Sequence, residues 1–310
     1  MKEHATTKRK TLNTFDPDIL RGEFPNIELI QLTPGPFQGS IFSAQMEHCR
    51  VTVGSFNQAV VCEGSYNPDT LHIGFMLSPG HSVVVQAHEY DDGTLTIHRN
   101  AISMHEVFPP DLTWVDITIS EKKVSEIIPS FTAEKLAGLS QFFMQGTRST
   151  LTALIQWIDD ALDFPNQSPK EEELLTIVNE LLFNRVVYHD EEPIYTAGDK
   201  FRMHLLEITH ELLQKQDTPP SLRDISNALG MKPRTVQKYF HEIYGMGPTE
   251  YCRVRRLNGA RTDLLLGRQA VSEIAYQWKF AHLGRFASRY KNHFGESPKV
   301  TLGRGGSVRT

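Results

Sequence analysis

Cysteine is scarce in this sequence. The chain has three cysteines among 310 residues, and Cys49, Cys62 and Cys252 lie far apart, with no CxxC pair and no histidine cluster beside them. Zinc sites and disulfide frameworks need such pairs or clusters. We therefore expect free cysteines, no metal and no cofactor.

Long apolar runs are also absent. Residues 1–10 are polar and basic, and no stretch of about 18 apolar residues occurs anywhere in the chain. The sequence therefore predicts neither a signal peptide nor a transmembrane helix. The expectation is a protein of the cytoplasm that has no membrane partner.

The chain as a whole lacks positive charge, with a formal net charge of -5. The charges are unevenly distributed: residues 200–310 contain 19 Lys and Arg against 9 Asp and Glu, whereas residues 1–199 contain 13 against 28. Opposite charges on two domains can hide one another in the total. Only the C-terminal part therefore has the charge expected of a protein that binds a polyanion.

The length predicts two domains, because about 100 to 200 residues is usual for one. The segment HDEEPIYTAG at residues 189–198 mixes charges with Pro and Gly, so we place a linker at residues 191–198. The predicted domains are residues 1–190 and residues 199–310. The fold class is α+β.

Residues 24–119 are typical of many short strands, which predict a barrel or a sandwich. The pattern becomes helical from Ser120, where a short helix is predicted, and two longer helices with apolar faces are predicted at residues 150–162 and 171–188. Those faces either pack internally or form a subunit interface.

Two helix-turn-helix units are predicted in the C-terminal domain. In the first, Ser221 caps a short helix that Gly230 ends, and Pro233 begins a second helix whose Val236 and Phe240 face inward.

The second unit repeats this design. Ile274 and Ala275 face inward on a short helix, and a helix over residues 282–294 buries Phe286 and Tyr290.

Such units suit DNA, because the major groove is about 12 Å wide and holds one helix that a second must brace. A long helix predicted at residues 248–266 would set the spacing of the units. Its Arg253, Arg255, Arg256 and Arg261 are candidates for phosphate contacts. A helical bundle that binds another protein shows the same periodicity and is the alternative.

The segment SEIAYQWKFAHLGRFASRYKNHFGESP at residues 272–298 resembles the signature of the AraC/XylS family of transcription regulators, and its HLGRFA part resembles the XylS-like branch. Residues 201–302 are similar to the family's DNA-binding domain in the order of their motifs. The resemblance implies a transcription regulator that binds specific sequences of double-stranded DNA, and not an enzyme. It also implies that the chain forms a homodimer and that RNA polymerase is a possible partner. It does not distinguish an activator from a repressor.

The resemblance also implies which residues contact DNA. They are Arg234, Gln237 and Lys238 in the first unit, and His282, Arg285 and Ser288 in the second, with Arg289 and Lys291 beside them. Arginine and lysine suit guanine, glutamine suits adenine, and serine is permissive.

The sequence departs from the family pattern at two positions. Lys279 stands where glycine is usual, so a non-glycine residue has to adopt a left-handed conformation at a cost of about 1 kcal/mol. Gly284 lies early in the second reading helix, where glycine costs up to about 1 kcal/mol. Both departures weaken the expected base reading by the second unit.

For residues 1–190 the resemblance implies a cupin-like β-barrel with accessory helices that senses a small effector or dimerises. Tyr66, Phe75, Met76 and Trp114 are candidates for lining an effector pocket, with ordinary core as the alternative. The basic run Lys8-Arg9-Lys10 is interpreted as a mobile tail, with an arm that meets DNA or an anionic effector as the alternative.

Histidines in the predicted strands raise an alternative function, a cupin-like metal-dependent enzyme fused to a helical domain. They are His72, His81, His88, His98 and His105. A cupin-type metal site needs a His-x-His pair and converging partners. His88 and Glu89 are adjacent and so point to opposite faces of a strand, which argues against such a site.

Overall fold

The computed structural model describes residues 8–14, 24, 26–78, 80–85, 88–91, 93–98, 103–127, 141–145, 148–163, 170–188 and 219–305, with short helical pieces between residues 204 and 212. The predicted linker at residues 191–198 lies outside the described residues. The strands are β1 (Lys8–Thr14), β2 (Ile27–Gln31), β3 (Gly39–Gln45), β4 (Cys49–Phe56), β5 (Val60–Ser65), β6 (Thr70–Met76), β7 (Ser82–Val85), β8 (His88–Asp91), β9 (Thr94–His98), β10 (Ser103–Phe108), β11 (Thr113–Ser120) and β12 (Gln141–Gln145).

The helices with assigned bounds follow mainly in the second half of the chain. They are α1 (Glu121–Ile127), α2 (Arg148–Asp163), α3 (Glu171–Tyr188), α4 (Leu222–Ala228), α5 (Pro233–Tyr244), α6 (Pro248–Leu266), α7 (Val271–Gln277), α8 (Leu283–Phe294) and α9 (Pro298–Gly305). The sheet-rich N-terminal half and the helical C-terminal half confirm the predicted fold class.

The strands form two antiparallel sheets. The large sheet has the order β1-β3-β4-β11-β6-β9-β12, and the small sheet has the order β2-β5-β10-β7-β8. Within the described residues the two sheets do not close into the predicted barrel, so the arrangement is an open pair of layers.

The interpretation of Lys8-Arg9-Lys10 as a mobile tail is wrong. These residues begin β1, an edge strand that pairs with β3 from Lys8 opposite Gln45 to Thr14 opposite Gly39. Charged residues on an edge strand discourage pairing with other chains, which is a structural reason for the basic run.

Side chains alternate between the two faces of the large sheet. On the outer face, Ile73 and Ile117 pack against Leu154 of α2 and Val178 of α3, all of them buried. Among the described side chains, internal packing accounts for the buried apolar residues of both helices, whereas Ile155 of α2 is 39% exposed.

The small sheet separates two environments. On its inner face, Cys62 and Met104 belong to a core between the sheets. On its outer face, Val61 and Val107 share a core with Val236 of α5. The small sheet is thus a shared wall between the inside of the N-terminal domain and the first helix-turn-helix unit.

Local signals in the C-terminal domain act as predicted. Ser221 Oγ accepts from the backbone N of Asp224, whose carboxylate accepts in return from the backbone N of Ser221. Gly230 has φ +64°, and Pro233 is the first residue of α5. The helix predicted at residues 248–266 has those bounds.

Candidate nucleic-acid interface and ligand cavity

We call α5 and α8 the reader helices. The inner sides of both are buried: Val236 and Phe240 are 0% exposed in α5, and Phe286 and Tyr290 are 1% and 0% exposed in α8. All eight residues implied as DNA contacts are solvent-exposed, namely Arg234, Gln237, Lys238, His282, Arg285, Ser288, Arg289 and Lys291. Each unit therefore presents one polar helix face that its own core leaves open.

Lys238 has an intrahelical partner. Its Nζ lies 3.5 Å from Glu242 Oε1, and the Lys238 side chain is 70% exposed. A surface pair of this kind contributes only about 0 to 1 kcal/mol. Lys238 can therefore exchange Glu242 for a phosphate or a base edge at little cost.

The turn of the second unit contains the predicted left-handed residue. Lys279 has φ +61°, as its place before Phe280 requires. Arg256 of α6 donates from Nη1 to the Lys279 carbonyl oxygen at 3.1 Å and lies 4.8 Å from the Phe280 ring centroid. Contacts from α6 thus hold a turn that lacks the usual glycine.

The α6 arginines are mostly committed to the protein itself. Arg255 pairs with Glu63 of β5, and Arg261, only 3% exposed, pairs with Glu296 at 3.0 Å. Proposing these two as phosphate contacts was wrong, because both lie on buried faces of α6. Arg253 pairs with Glu250 and remains half-buried.

One cluster ties the first unit to the shared wall. Tyr244, at the end of α5, makes a 3.1 Å hydrogen bond with His105 Nε2, and His105 Nδ1 lies 3.2 Å from Glu63. Tyr251 of α6 donates to Glu63 at 3.4 Å, beside the pair with Arg255. Burial raises the pKa of Glu63, but the hydrogen bond with His105 and the charge of Arg255 outweigh it and bring the value to about 2.

A second cluster ties α6 and α8 to β2. The backbone N of Gln31 donates to Asn258 Oδ1 at 2.9 Å, and Asn258 Nδ2 donates back to the Gln31 carbonyl at 3.0 Å. His293 Nε2 donates to the same carbonyl at 3.0 Å. Burial lowers the pKa of His293, which favours the neutral ring in this role.

Sequence reasoning missed both clusters. A signal was present, because Asn258 and His293 are polar residues at positions that face a helix core. Buried polar groups almost always have partners, so each pointed to an unidentified acceptor or donor.

A cavity of about 470 Å³ lies between the two sheets. Its lining includes the four predicted residues Tyr66, Phe75, Met76 and Trp114. The volume is within the range of sites for small molecules, about 300 to 1,000 Å³. Phe75 also contributes to the core under α2 and α3.

Aromatic rings form one side of the cavity. Trp114 is at the centre of this group, with ring centroids 6.2 Å from Phe24, 5.8 Å from Phe56 and 6.2 Å from Phe108. All four residues line the cavity.

Polar side chains form another side. Tyr66 donates a 2.5 Å hydrogen bond to Glu106, and His72 Nδ1 lies 3.3 Å from Asp116 Oδ1. Burial raises the pKa of Glu106 to about 7, against the lowering effect of the hydrogen bond from Tyr66, and the charge of Asp116 adds to the rise. Two carboxylates thus share one buried region.

The strand histidines do not gather at one point. His72 and His98 are opposite each other on β6 and β9, whereas His105 faces α5. Burial lowers the pKa of His98 to about 3, so its ring is neutral. Among the residues that the structure describes, no group of three His, Cys, Asp or Glu is arranged to hold a metal ion.

The geometry defines the class of the C-terminal domain, a tandem helix-turn-helix domain with two exposed polar helix faces. A family model described as "Helix-turn-helix domain" matches residues 225–304. Within the described ranges, no helix is long and apolar enough to span a bilayer.

Curated relatives match this domain, and some of the matches extend over most of the chain. The "XylDLEGF operon transcriptional activator" of Pseudomonas putida is 24% identical over 277 residues, which is 83% of this chain and 81% of that protein. The "Probable thc operon regulatory protein" of Rhodococcus erythropolis is 37% identical over 87 residues. That second match covers 27% of this chain and about a quarter, 26%, of the Rhodococcus protein.

Two solved structures align with most of the chain. The AraC-like transcriptional activator CuxR aligns with a TM-score of 0.42 and 16% identity, over 82% of this chain and 95% of that one. ToxT from Vibrio cholerae aligns with a TM-score of 0.33 and 13% identity, over 97% and 99%. Its helix-turn-helix domain and these curated relatives make the chain similar to transcription regulators of the AraC/XylS family.

Proposed function

We propose that this protein acts in the cytoplasm as a homodimeric transcription activator that reads one DNA face with both reader helices. In this proposal the base contacts come from Arg234, Gln237 and Lys238 of the first unit, and from His282, Arg285 and Ser288 of the second. Arg289 and Lys291 contact phosphates. The proposed domains are residues 1–190 for sensing and dimerisation and residues 199–310 for DNA binding, joined by residues 191–198.

The observation that carries this proposal is the pair of exposed polar faces on α5 and α8. Each is backed by a buried aromatic core, and both lie in the part of the chain with excess positive charge. Half-sites one helical turn apart, about 34 Å, are expected on the DNA. Activation is inferred from the name of a curated relative, a transcriptional activator, and RNA polymerase is the partner that activation would need.

A small effector in the cavity would control this activity. The shared wall supports the idea, because neighbouring residues of β10 face opposite sides: Glu106 faces the cavity, and His105 contacts Tyr244 at the end of α5. A ligand that moves β10 would therefore shift His105, and with it the contact that holds the end of a reader helix against the small sheet. Regulation follows only if the ligand binds the two arrangements with different affinities.

DNA binding is tested by selecting fragments from a random duplex pool with the purified full-length protein and measuring gel shifts at 50 and 200 mM salt. Affinity should fall steeply with salt, by at least about 10-fold, because phosphate contacts release counterions. Lys170→Ala, in the N-terminal domain, is a matched control for Lys238→Ala, since both lysines are exposed and each pairs with a nearby glutamate. No enrichment of any sequence, or binding that ignores salt, would contradict the proposal.

Two other functions are separated by simple measurements. A helical module for protein binding predicts no enriched DNA sequence in the selection. A cupin-like enzyme predicts stoichiometric iron, manganese or zinc in the purified protein by elemental analysis. Size-exclusion chromatography with light scattering tests the homodimer directly.

A further inference from the structure

The cavity between the sheets has two chemically distinct sides. Its aromatic side is centred on Trp114. Its polar side holds Glu106, 7% exposed, and Asp116, which the His72 ring and Arg50 partly compensate. A ligand that fills the cavity therefore meets rings at one end and carboxylates at the other.

The electrostatics of the polar side favour one sign of charge. Asp116 is ionised, because the charge and hydrogen bond of His72 lower its pKa although burial opposes them. Glu106 feels that negative charge, and it has lost most of its hydration. A third carboxylate placed here would add repulsion, whereas a cation or a hydrogen-bond donor would relieve it.

Arg50 is the feature that could favour an anion. Its guanidinium lies 5.3 Å from the ring centroid of Phe24 and its charge already acts on Asp116. The other ionisable side chains of the lining are Glu47, His48, Cys49 of β4, Cys62 of β5, Tyr66 just after β5, and Tyr90 of β8. Burial raises the pKa of the Cys49 and Cys62 thiols, which keeps them uncharged.

We propose that the cavity selects a small aromatic ligand whose polar head is a protonated amine, and that Glu106 and Asp116 recognise this head. The proposal rests on the function proposed above, in which the cavity holds the effector. The ring would pack beside Trp114, where offset and edge-on aromatic contacts are available. A hydroxyl in place of the amine would bind more weakly, since it donates one neutral hydrogen bond.

Three commercial probes isolate the head group. Tryptamine, tryptophol and indole-3-propionate share the indole ring and a two-carbon spacer, and they end in an ammonium, a hydroxyl and a carboxylate. Calorimetric titration of the full-length protein should rank tryptamine first and indole-3-propionate last. Equal or tighter binding of indole-3-propionate overturns the proposal, and so does failure of all three to bind at millimolar concentration.

Two variants assign the recognition to the carboxylates. Glu106→Gln and Asp116→Asn should each weaken tryptamine about 10- to 100-fold, the value of a hydrogen bond to a charged group, and change tryptophol by less than about 3-fold. Glu89→Gln is the matched control, because Glu89 is exposed on β8 of the same sheet and does not line the cavity. Unchanged tryptamine affinity in both variants overturns the assignment.

Folding and DNA binding are measured in parallel. Thermal unfolding shows whether each variant is folded, and Asp116→Asn serves if Glu106→Gln does not fold. The gel shift without any probe reports DNA binding alone. A protein that shifts DNA but rejects tryptamine therefore refutes the ligand class and leaves the regulator intact, whereas loss of the gel shift refutes the proposed function.

Discussion

The two helix-turn-helix units reach the same shape by different means. The first uses local signals: a reciprocal cap at Ser221 and a left-handed glycine, Gly230, in its turn. In the second, the cap position is Ala270, whose backbone N donates to Glu273, and the left-handed residue is Lys279. The second unit depends instead on α6, whose Asp263 accepts from Trp278 Nε1 at 2.7 Å. Tertiary contacts can therefore replace local sequence signals in fixing the second helix of such a unit.

The largest expected effect comes from Gly259 of α6. A Cβ at this position would lie 2.1 Å from Trp278 Cη2, and the ring cannot yield easily because Asp263 holds it. Gly259→Ala should destabilise the protein by about 3 kcal/mol, the upper end for overpacking, and should weaken DNA binding through the second unit. Thermal and denaturant unfolding measure the loss.

Gly284→Ala is the matched control, because a Cβ there meets nothing within 4 Å. It should stabilise α8 by up to about 1 kcal/mol through helix propensity. If both variants had equal stability, α6 would not be the element that fixes the second unit.

The next largest expected effect is a loss of DNA affinity when a proposed base-contacting residue of either unit is replaced. Lys238→Ala and Arg285→Ala should each lose about 1 to 3 kcal/mol of specific binding, and the loss should be larger for Lys238. The reason is that Gly284 loosens the helix turn that carries Arg285. Binding to the selected site and to single-base variants measures both affinity and preference. Retained affinity with unchanged preference in both variants would remove these residues from the interface.

A change of pH should affect the two polar clusters differently, the one around Glu63 and the one around His293. His293 has a lowered pKa, so its contribution is complete above its unfolded value near 6.5 and is lost as the pH falls below it. Glu63, with a pKa of about 2, keeps its contribution until the pH falls below about 4.5. From pH 7 to pH 5, hydrogen exchange corrected for intrinsic rates should therefore rise in α8 and remain constant in α5.

His293→Gln is the control for this titration, since a glutamine amide still donates to the Gln31 carbonyl but does not titrate. The variant should lose the pH dependence in α8. A simultaneous change of α5 and α8 between pH 7 and pH 5 would show that the two units undock together.

The smallest expected effect is on stability, from substitutions in the turn of each helix-turn-helix unit. Lys279→Gly should stabilise the second unit by up to about 1 kcal/mol, because glycine adopts positive φ without the steric cost. Gly230→Ala should destabilise the first unit by about the same amount, although a Cβ there meets nothing within 4 Å. Unfolding midpoints of the two variants should move in opposite directions, and a shift of the same sign would contradict the account of the turns.

Local patterns predicted most of the C-terminal helices. Apolar spacing and end signals gave α6 its bounds at Pro248 and Leu266, and they placed Phe240 and Phe286 inward. They failed for Arg255 and Arg261, because the acidic partners Glu63 and Glu296 lie on other elements. From composition alone, these arginines were expected to be exposed and available for phosphates.

Long-range arrangement could not be predicted in this way. Gln31 meets Asn258 and His293 only after the chain has folded, and no local pattern encodes that meeting. The cavity was predicted as a set of candidate residues, and Trp114 and Tyr66 do line it. The pairing of Glu106 with Tyr66 was not predicted, since it depends on which strands are neighbours in the small sheet. Whether the exposed residues of α5 and α8 read bases stays a prediction.

The two-residue periodicity of β10 has a consequence for engineering. Met104, Glu106 and Phe108 point toward one compartment, while His105 and Val107 point toward the other. If the cavity holds the proposed ligand, substitutions at the even-numbered positions should retune ligand preference while the odd-numbered side chains keep their contacts with the helices. A shift of this strand by one residue, as an insertion would cause, would turn the cavity-facing side chains toward the helices and the helix-facing ones toward the cavity. A biosensor library should therefore vary which residues stand at these positions and keep the length of the strand.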